Sequence, residues 1–170
     1  MTLVLDASAV VDVLLRTDHG EQVSHVLAQR ADEDMVTVAH LDAEVLSALA
    51  RGYRAGELVA DEVTTALHLL GDMVLTRIPI GADLLDAAWE LRHNVYAKDA
   101  LYVALARALG AELVTTDNHL AKAVPDLAVS VDAPKSDETT DRTQRRAAGE
   151  RARVGRTASS IHLLIRGQML

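Results

Sequence analysis

The chain has 170 residues, 49% hydrophobic and 25% charged, which fits one ordinary domain with a sizeable core plus some excess. It has no cysteine, excluding a disulfide framework, a thiolate zinc site and a cysteine nucleophile; its four aromatics (Tyr53, Trp89, Tyr96, Tyr102) are too few for base-stacking platforms of the single-strand-binding kind. The formal charge of −8 is uneven: residues 1–133 carry 21 acids against 9 bases, a net of −12, and residues 134–170 carry 4 against 8, a net of +4.

Thr2 to Leu5 is a short buried-strand run that stops at Asp6-Ala-Ser8. Asp6 and Asp12 interrupt the first apolar stretch, so it does not read as a membrane span. No basic signal-peptide region precedes it, and a cytoplasmic protein with no membrane partner is expected. Val10–Leu15 and Val23–Ala28 have helix-like apolar spacing, and Met35–Ala39 is a second strand. His40–Arg54 reads as a helix with Leu41, Val45, Leu46, Leu49 and Tyr53 on one face and Gly56 as its stop. Val59–Gly71 is a further helix, and Val74–Ile80 a strand whose Pro79 marks an edge or end. Leu84–His93 and Lys98–Leu109 are helical, the second stopped by Gly110. Glu112–Thr116 and Leu127–Val131 are the last strands, separated by a short helix over Asn118–Val124.

The succession β-α-β-α-α-β-α-α-β-α-β predicts an α/β fold: a parallel sheet of about five strands with helices on both faces, a three-layer arrangement. Residues 1–132 form the expected domain. From Ala133 onward the composition turns to Lys, Ser, Asp, Thr, Arg and Gln, and residues 133–170 read as a linker and a basic, disordered tail. There is no internal repeat and no glycine-rich phosphate loop.

In open parallel sheets ligands bind outside the carboxyl ends of the strands. Asp6 follows the first strand and Asp117 follows the fourth, while Glu44 and Asp99 lie in the first turns of their helices. Chain direction aims all four carboxylates at one end of the sheet. Each alone has a structural reading as an N-cap or first-turn charge. Together they are costly, since carboxylates ~4 Å apart repel by roughly 4 kcal/mol at an effective dielectric of 20. Protons or a cation must offset that repulsion. Oxygen ligands without His or Cys suit Mg²⁺, with Mn²⁺ as a substitute, and such ions support phosphodiester hydrolysis. Asp42 is a competing acid read as an N-cap, and the seven histidines, which show no ligand spacing, as surface or helix-end residues. Arg51, Arg54, Arg92, Lys98 and Arg107 read as solvated charges; Lys98 stands apart because it adjoins Asp99.

Four segments in order, Leu3-Val-Leu-Asp-Ala-Ser-Ala9, Glu44-Val-Leu-Ser-Ala-Leu-Ala-Arg51, Asp99-Ala-Leu-Tyr-Val-Ala-Leu-Ala106 and Leu113-Val-Thr-Thr-Asp117, span nearly all of residues 1–131. In these the chain resembles the PIN-domain ribonucleases, in particular the VapC-type toxins of bacterial toxin–antitoxin pairs. The resemblance implies a Mg²⁺-dependent endoribonuclease acting on RNA, a homodimer, and a cognate antitoxin whose peptide occupies a groove near the site. By motif position Asp6, Glu44, Asp99 and Asp117 take the catalytic acidic-quartet roles. Asp6 and Asp99 are then the direct metal ligands, Glu44 and Asp117 complete the site directly or through water, and Ser8 and Thr116 support it. The tail from Ala133 departs from that compact pattern. Alternative readings are a catalytically silent PIN-like interaction module, an aspartate-based phosphatase or phosphotransfer domain, disfavoured because Ser8 stands where its second acid would be, and a nucleotide-binding regulator.

Overall fold

Strand β1 (Thr2–Leu5) buries Leu3, Val4 and Leu5 completely. Successive strand side chains point to opposite faces, so both faces of the sheet are covered at this strand. With β2 (Asp34–Val38), β3 (Thr76–Ile78), β4 (Glu112–Val114) and β5 (Ala128–Val129), it forms a sheet of order β3-β2-β1-β4-β5 with every pairing parallel. Leu3 lies opposite Met35 on one side and Glu112 on the other. The chain leaves β1 toward β2 and later returns to its other edge as β4. The strand order reverses beside β1, and there a parallel sheet opens a crevice. This computed structural model describes residues 1–129 and 131. The expected domain boundary at 132 and the tail 133–170 lie outside the described residues. Among the described residues no helix is long and apolar enough to cross a membrane.

Two helices, not one, join β1 to β2: α1 (Ala7–Leu15) and α2 (Asp18–Gln29). Arg16 breaks them apart in a left-handed conformation (φ 54°). Thr17 then caps α2, its hydroxyl accepting from the Gly20 amide at 3.1 Å. Gly20 is required where the helices meet, because a Cβ there would lie 2.0 Å from the Asp12 carbonyl oxygen.

After β2 come α3 (Leu41–Ala55) and α4 (Ala60–Asp72); after β3 come α5 (Ala82–Glu90) and α6 (Ala97–Leu109). The short α7 (Asn118–Ala123) links β4 to β5. Leu41, Val45 and Leu49 form the buried face of α3, whereas Leu46 and Tyr53, expected with them, are exposed. Helix α6 rests on β1, β2 and β4 and packs with α5. It buries Ala100 and every residue from Tyr102 to Ala106, as a helix covered on most sides does. Strand β4 stops at Val114, two residues earlier than expected, which frees Thr115 and Thr116 to turn their polar groups toward β1.

Candidate active site

Asp6 ends β1 and caps α1. Its Oδ1 accepts from the Ala9 amide (2.9 Å) and the Ser8 hydroxyl (2.8 Å), and its Oδ2 accepts from the Thr115 hydroxyl (2.8 Å). The residue is only 4% exposed. Burial pushes its carboxyl up from 3.8 to about 6, outweighing these three hydrogen bonds, with the Asp99 charge adding to the rise. The Thr115 oxygen in turn accepts from the Asp117 amide (3.0 Å), and the Ser8 oxygen from the Thr116 amide (3.0 Å). The ends of β1 and β4 are thereby stitched around one carboxylate.

Asp99, in the first turn of α6, is buried. Burial also raises its pKa; Lys98 opposes the rise, and the Asp117 and Glu44 charges reinforce it. Asp99 is therefore electrostatically coupled to each of the other three acids. Lys98 places its ammonium 3.3 Å from Asp99 Oδ1 and 3.6 Å from Glu44 Oε1. Burial works to lower the Lys98 pKa, but the two carboxylates outweigh it and hold the cation charged.

Glu44 comes from the first turn of α3. Its Oε2 accepts from the Tyr102 hydroxyl at 2.6 Å. Burial, then that hydrogen bond to a charged acceptor, raises the Tyr102 pKa far above the ordinary phenol range, so the hydroxyl stays a donor. His40 Nε2 lies 3.0 Å from the same oxygen, off the angle of a hydrogen bond, and the ring rests 5.0 Å from the Tyr102 ring. Asp117 caps α7, its Oδ1 accepting from the His119 (2.7 Å) and Leu120 (3.3 Å) amides.

Two expectations are corrected by this geometry. The side-chain support expected from Thr116 is given by Thr115. The Thr116 hydroxyl instead donates to Asp12 Oδ2 (2.6 Å), because neighbouring side chains past the strand end point apart. Asp42 is not a cap: it forms a two-point pair with Arg77 (2.8 and 3.0 Å), and the N-cap of α3 is His40. His40, a helix-end residue as expected, lies half-buried at the site. Two participants escaped the sequence reading. Asp12 clamps Thr116 and Thr17 (2.7 Å) with its two oxygens, and Tyr102 orients Glu44. Both carried a signal: Asp12 follows Ser8 by four residues and Tyr102 follows Asp99 by three, the spacings of one helix face.

Among the described residues no three His, Asp or Glu side chains are grouped as a ready-made metal cage. The donor set nonetheless fits a hard cation. All four groups are carboxylates, and a lysine ammonium already stands between two of them. Mg²⁺ in particular is commonly held by one or two carboxylates and several waters, not by an all-protein cage. Clefts adjoin the acids. One of 590 Å³ runs between α1 and α3, lined by Ser8, Val11, Glu44, Ala48 and Arg51 among others. Another, of 360 Å³, lies between the α5–α6 turn and α7 and has Asp99 in its wall. A third, of 280 Å³, is lined by Thr115, Thr116 and Asp117 among others.

A parallel sheet ordered β3-β2-β1-β4-β5, whose strand order reverses beside β1, defines a class of α/β protein. The family model of the PIN domain matches residues 3–124. Ribonuclease VapC3 of Mycobacterium tuberculosis is 46% identical over 123 residues, covering 72% of this chain and 88% of the relative. Ribonuclease VapC1 of the same species is 39% identical over 122 residues, 71% and 89% of the two chains. Ribonuclease VapC3 of Pyrobaculum aerophilum is 32% identical over 130 residues, 75% and 98%. The chain belongs to the PIN-domain family, and its relatives place it with the VapC-type members.

Proposed function

We propose that the chain is a metal-dependent endoribonuclease, the toxin of a type II toxin–antitoxin pair, that hydrolyses RNA phosphodiester bonds at the acidic quartet. The observation that carries the reading is geometric: Lys98 bridges Asp99 and Glu44 at 3.3 and 3.6 Å, and Thr115 links Asp6 to the Asp117 backbone, so acids from four elements meet at one end of the sheet. The curated relatives named as ribonucleases give the substrate class. Asp6 and Asp99 are the ligands proposed to hold Mg²⁺, or Mn²⁺ in its place, with Glu44 and Asp117 completing the site directly or through water. A divalent cation held there supplies charge neutralisation for the phosphate and a more acidic water. Ser8 and Thr115 fix the Asp6 carboxylate, Tyr102 fixes Glu44, and the α7 amides fix Asp117. Lys98, two-thirds exposed, balances Asp99 and Glu44 and is free to swing toward a phosphate.

The cleft between α1 and α3 is the proposed seat of an antitoxin peptide. Its Val11 and Ala48 offer apolar contact beside Glu44, which offers a carboxylate to a basic side chain. A homodimer in the cytoplasm completes the proposal. The test is incubation of the purified full chain with total RNA in Mg²⁺ or in EDTA, with sequencing of new 5′ ends. Defined new ends in Mg²⁺ and none in EDTA are expected. An RNA profile identical to the protein-free control would overturn the reading.

A further inference from the structure

We propose that the 360 Å³ cleft between the α5–α6 turn and α7 is a single-nucleotide subsite, in which Tyr96 stacks a base beside the cut and Arg92 holds an adjoining phosphate. The inference rests on the RNA-cleavage reading above. Arg92, His93, Asn94, Tyr96 and His119 line the cleft together with Asp99, so its occupant touches the acid cluster itself. The volume is at the small end of ligand pockets, suited to one nucleotide.

The turn that presents these groups is held by its own backbone. The Asn94 and Val95 amides both donate to the Leu91 carbonyl (2.9 and 3.0 Å), the Ala100 amide donates to the Tyr96 carbonyl (2.8 Å), and buried Val95 anchors the turn. Tyr96 is 76% exposed, and the side chains of Tyr96, His93 and Asn94 line the cleft. Arg92 is pre-oriented: its guanidinium lies 5.3 Å from the Trp89 ring centre and donates to the Trp89 carbonyl at 2.9 Å. Its nearest acid, Glu90 at 3.6 Å, is largely solvated and holds it weakly. Arg92 is the cation in this lining, and the imidazoles of His93 and His119 stand in the same wall. An exposed ring, a planar cation and an amide with both donors and an acceptor are what a splayed single-stranded base and its phosphate require.

The test uses the full chain and a short fluorescent single-stranded RNA carrying a site that the wild-type chain cuts in total RNA. Tyr96→Ala is expected to raise KM roughly tenfold with kcat within about twofold, and to broaden the base preference at one position flanking the cut. Tyr96→Phe, which keeps the ring, retains both. Arg92→Gln should flatten the slope of log kcat/KM against log salt by about 0.7, the loss of one phosphate contact on a single strand. Unchanged KM and base preference in Tyr96→Ala would overturn the subsite while leaving the ribonuclease reading standing. A fall in oligomeric mass of Tyr96→Ala on a sizing column would overturn it too, by assigning the cleft to contact between copies. Wild-type protein that cuts no RNA would remove the ribonuclease reading and the subsite with it.

Discussion

Burial of Asp6 disfavours its charged form. Its carboxyl is pushed up to about 6 from 3.8 by burial, so between those pH values the folded protein keeps a proton that the unfolded chain has lost. Its contribution therefore declines as pH rises through that window, by about 3 kcal/mol in all. Asp6→Asn lacks this titration. It keeps an acceptor for Ala9 and Ser8, and the Thr115 hydroxyl turns to accept. Relative to wild type the variant should gain stability between pH 4 and pH 8 in urea unfolding while losing RNA cleavage. A stability difference that does not move with pH would contradict the raised pKa. Mg²⁺ favours the ionised carboxylate, so its stabilisation of the wild type should be larger at pH 8 than at pH 5. Tyr102→Phe removes a hydrogen bond to a charged acceptor. It is expected to lower stability by about 1–2 kcal/mol and to slow cleavage about tenfold by freeing Glu44, read from melting curves and initial rates.

The joint between α1 and α2 depends on a missing side chain. Gly20→Ala places a Cβ against backbone, where no side chain can yield, and should cost about 2–3 kcal/mol, lowering Tm. A Tm equal to wild type would mean the helices separate freely. This joint also marks where sequence reasoning stopped. The apolar spacing of Val10–Leu15 and Val23–Ala28 indicated helix, but the break falls at Arg16, whose left-handed backbone no residue preference announces. The end of β1 was legible because its apolar run closes on an acid at Leu5-Asp6, and a parallel sheet sends such ends one way. The choice between Thr115 and Thr116 was not legible, because one residue of rotation past a strand end decides which hydroxyl meets Asp6. Asp42 misled for a related reason: its partner Arg77 lies 35 residues away, on β3, and no local pattern encodes that pairing.

The whole molecule sets an acidic body against a basic end, −12 over residues 1–133 and +4 over residues 134–170. Residues 136–156 carry almost no aliphatic periodicity from which to build a packed element, so truncation after Asp132 should leave Tm and basal cleavage unchanged. RNA affinity should weaken modestly at low salt and little at high salt, since neutralised phosphates release counterions. Loss of folding on truncation would place the boundary elsewhere. The central claim is that one cluster of carboxylates holds a cation for cutting RNA. Its most direct test is the initial rate on a mapped RNA site across a Mg²⁺ titration, for wild type and Asp99→Asn at matched Tm. The account predicts a wild-type rate that rises with Mg²⁺ and vanishes in EDTA, and a variant slower by at least about 100-fold, since losing a ligand should cost no less than losing a ligand's outer partner. Wild-type rates from Asp99→Asn, or full wild-type cleavage in EDTA, would contradict it.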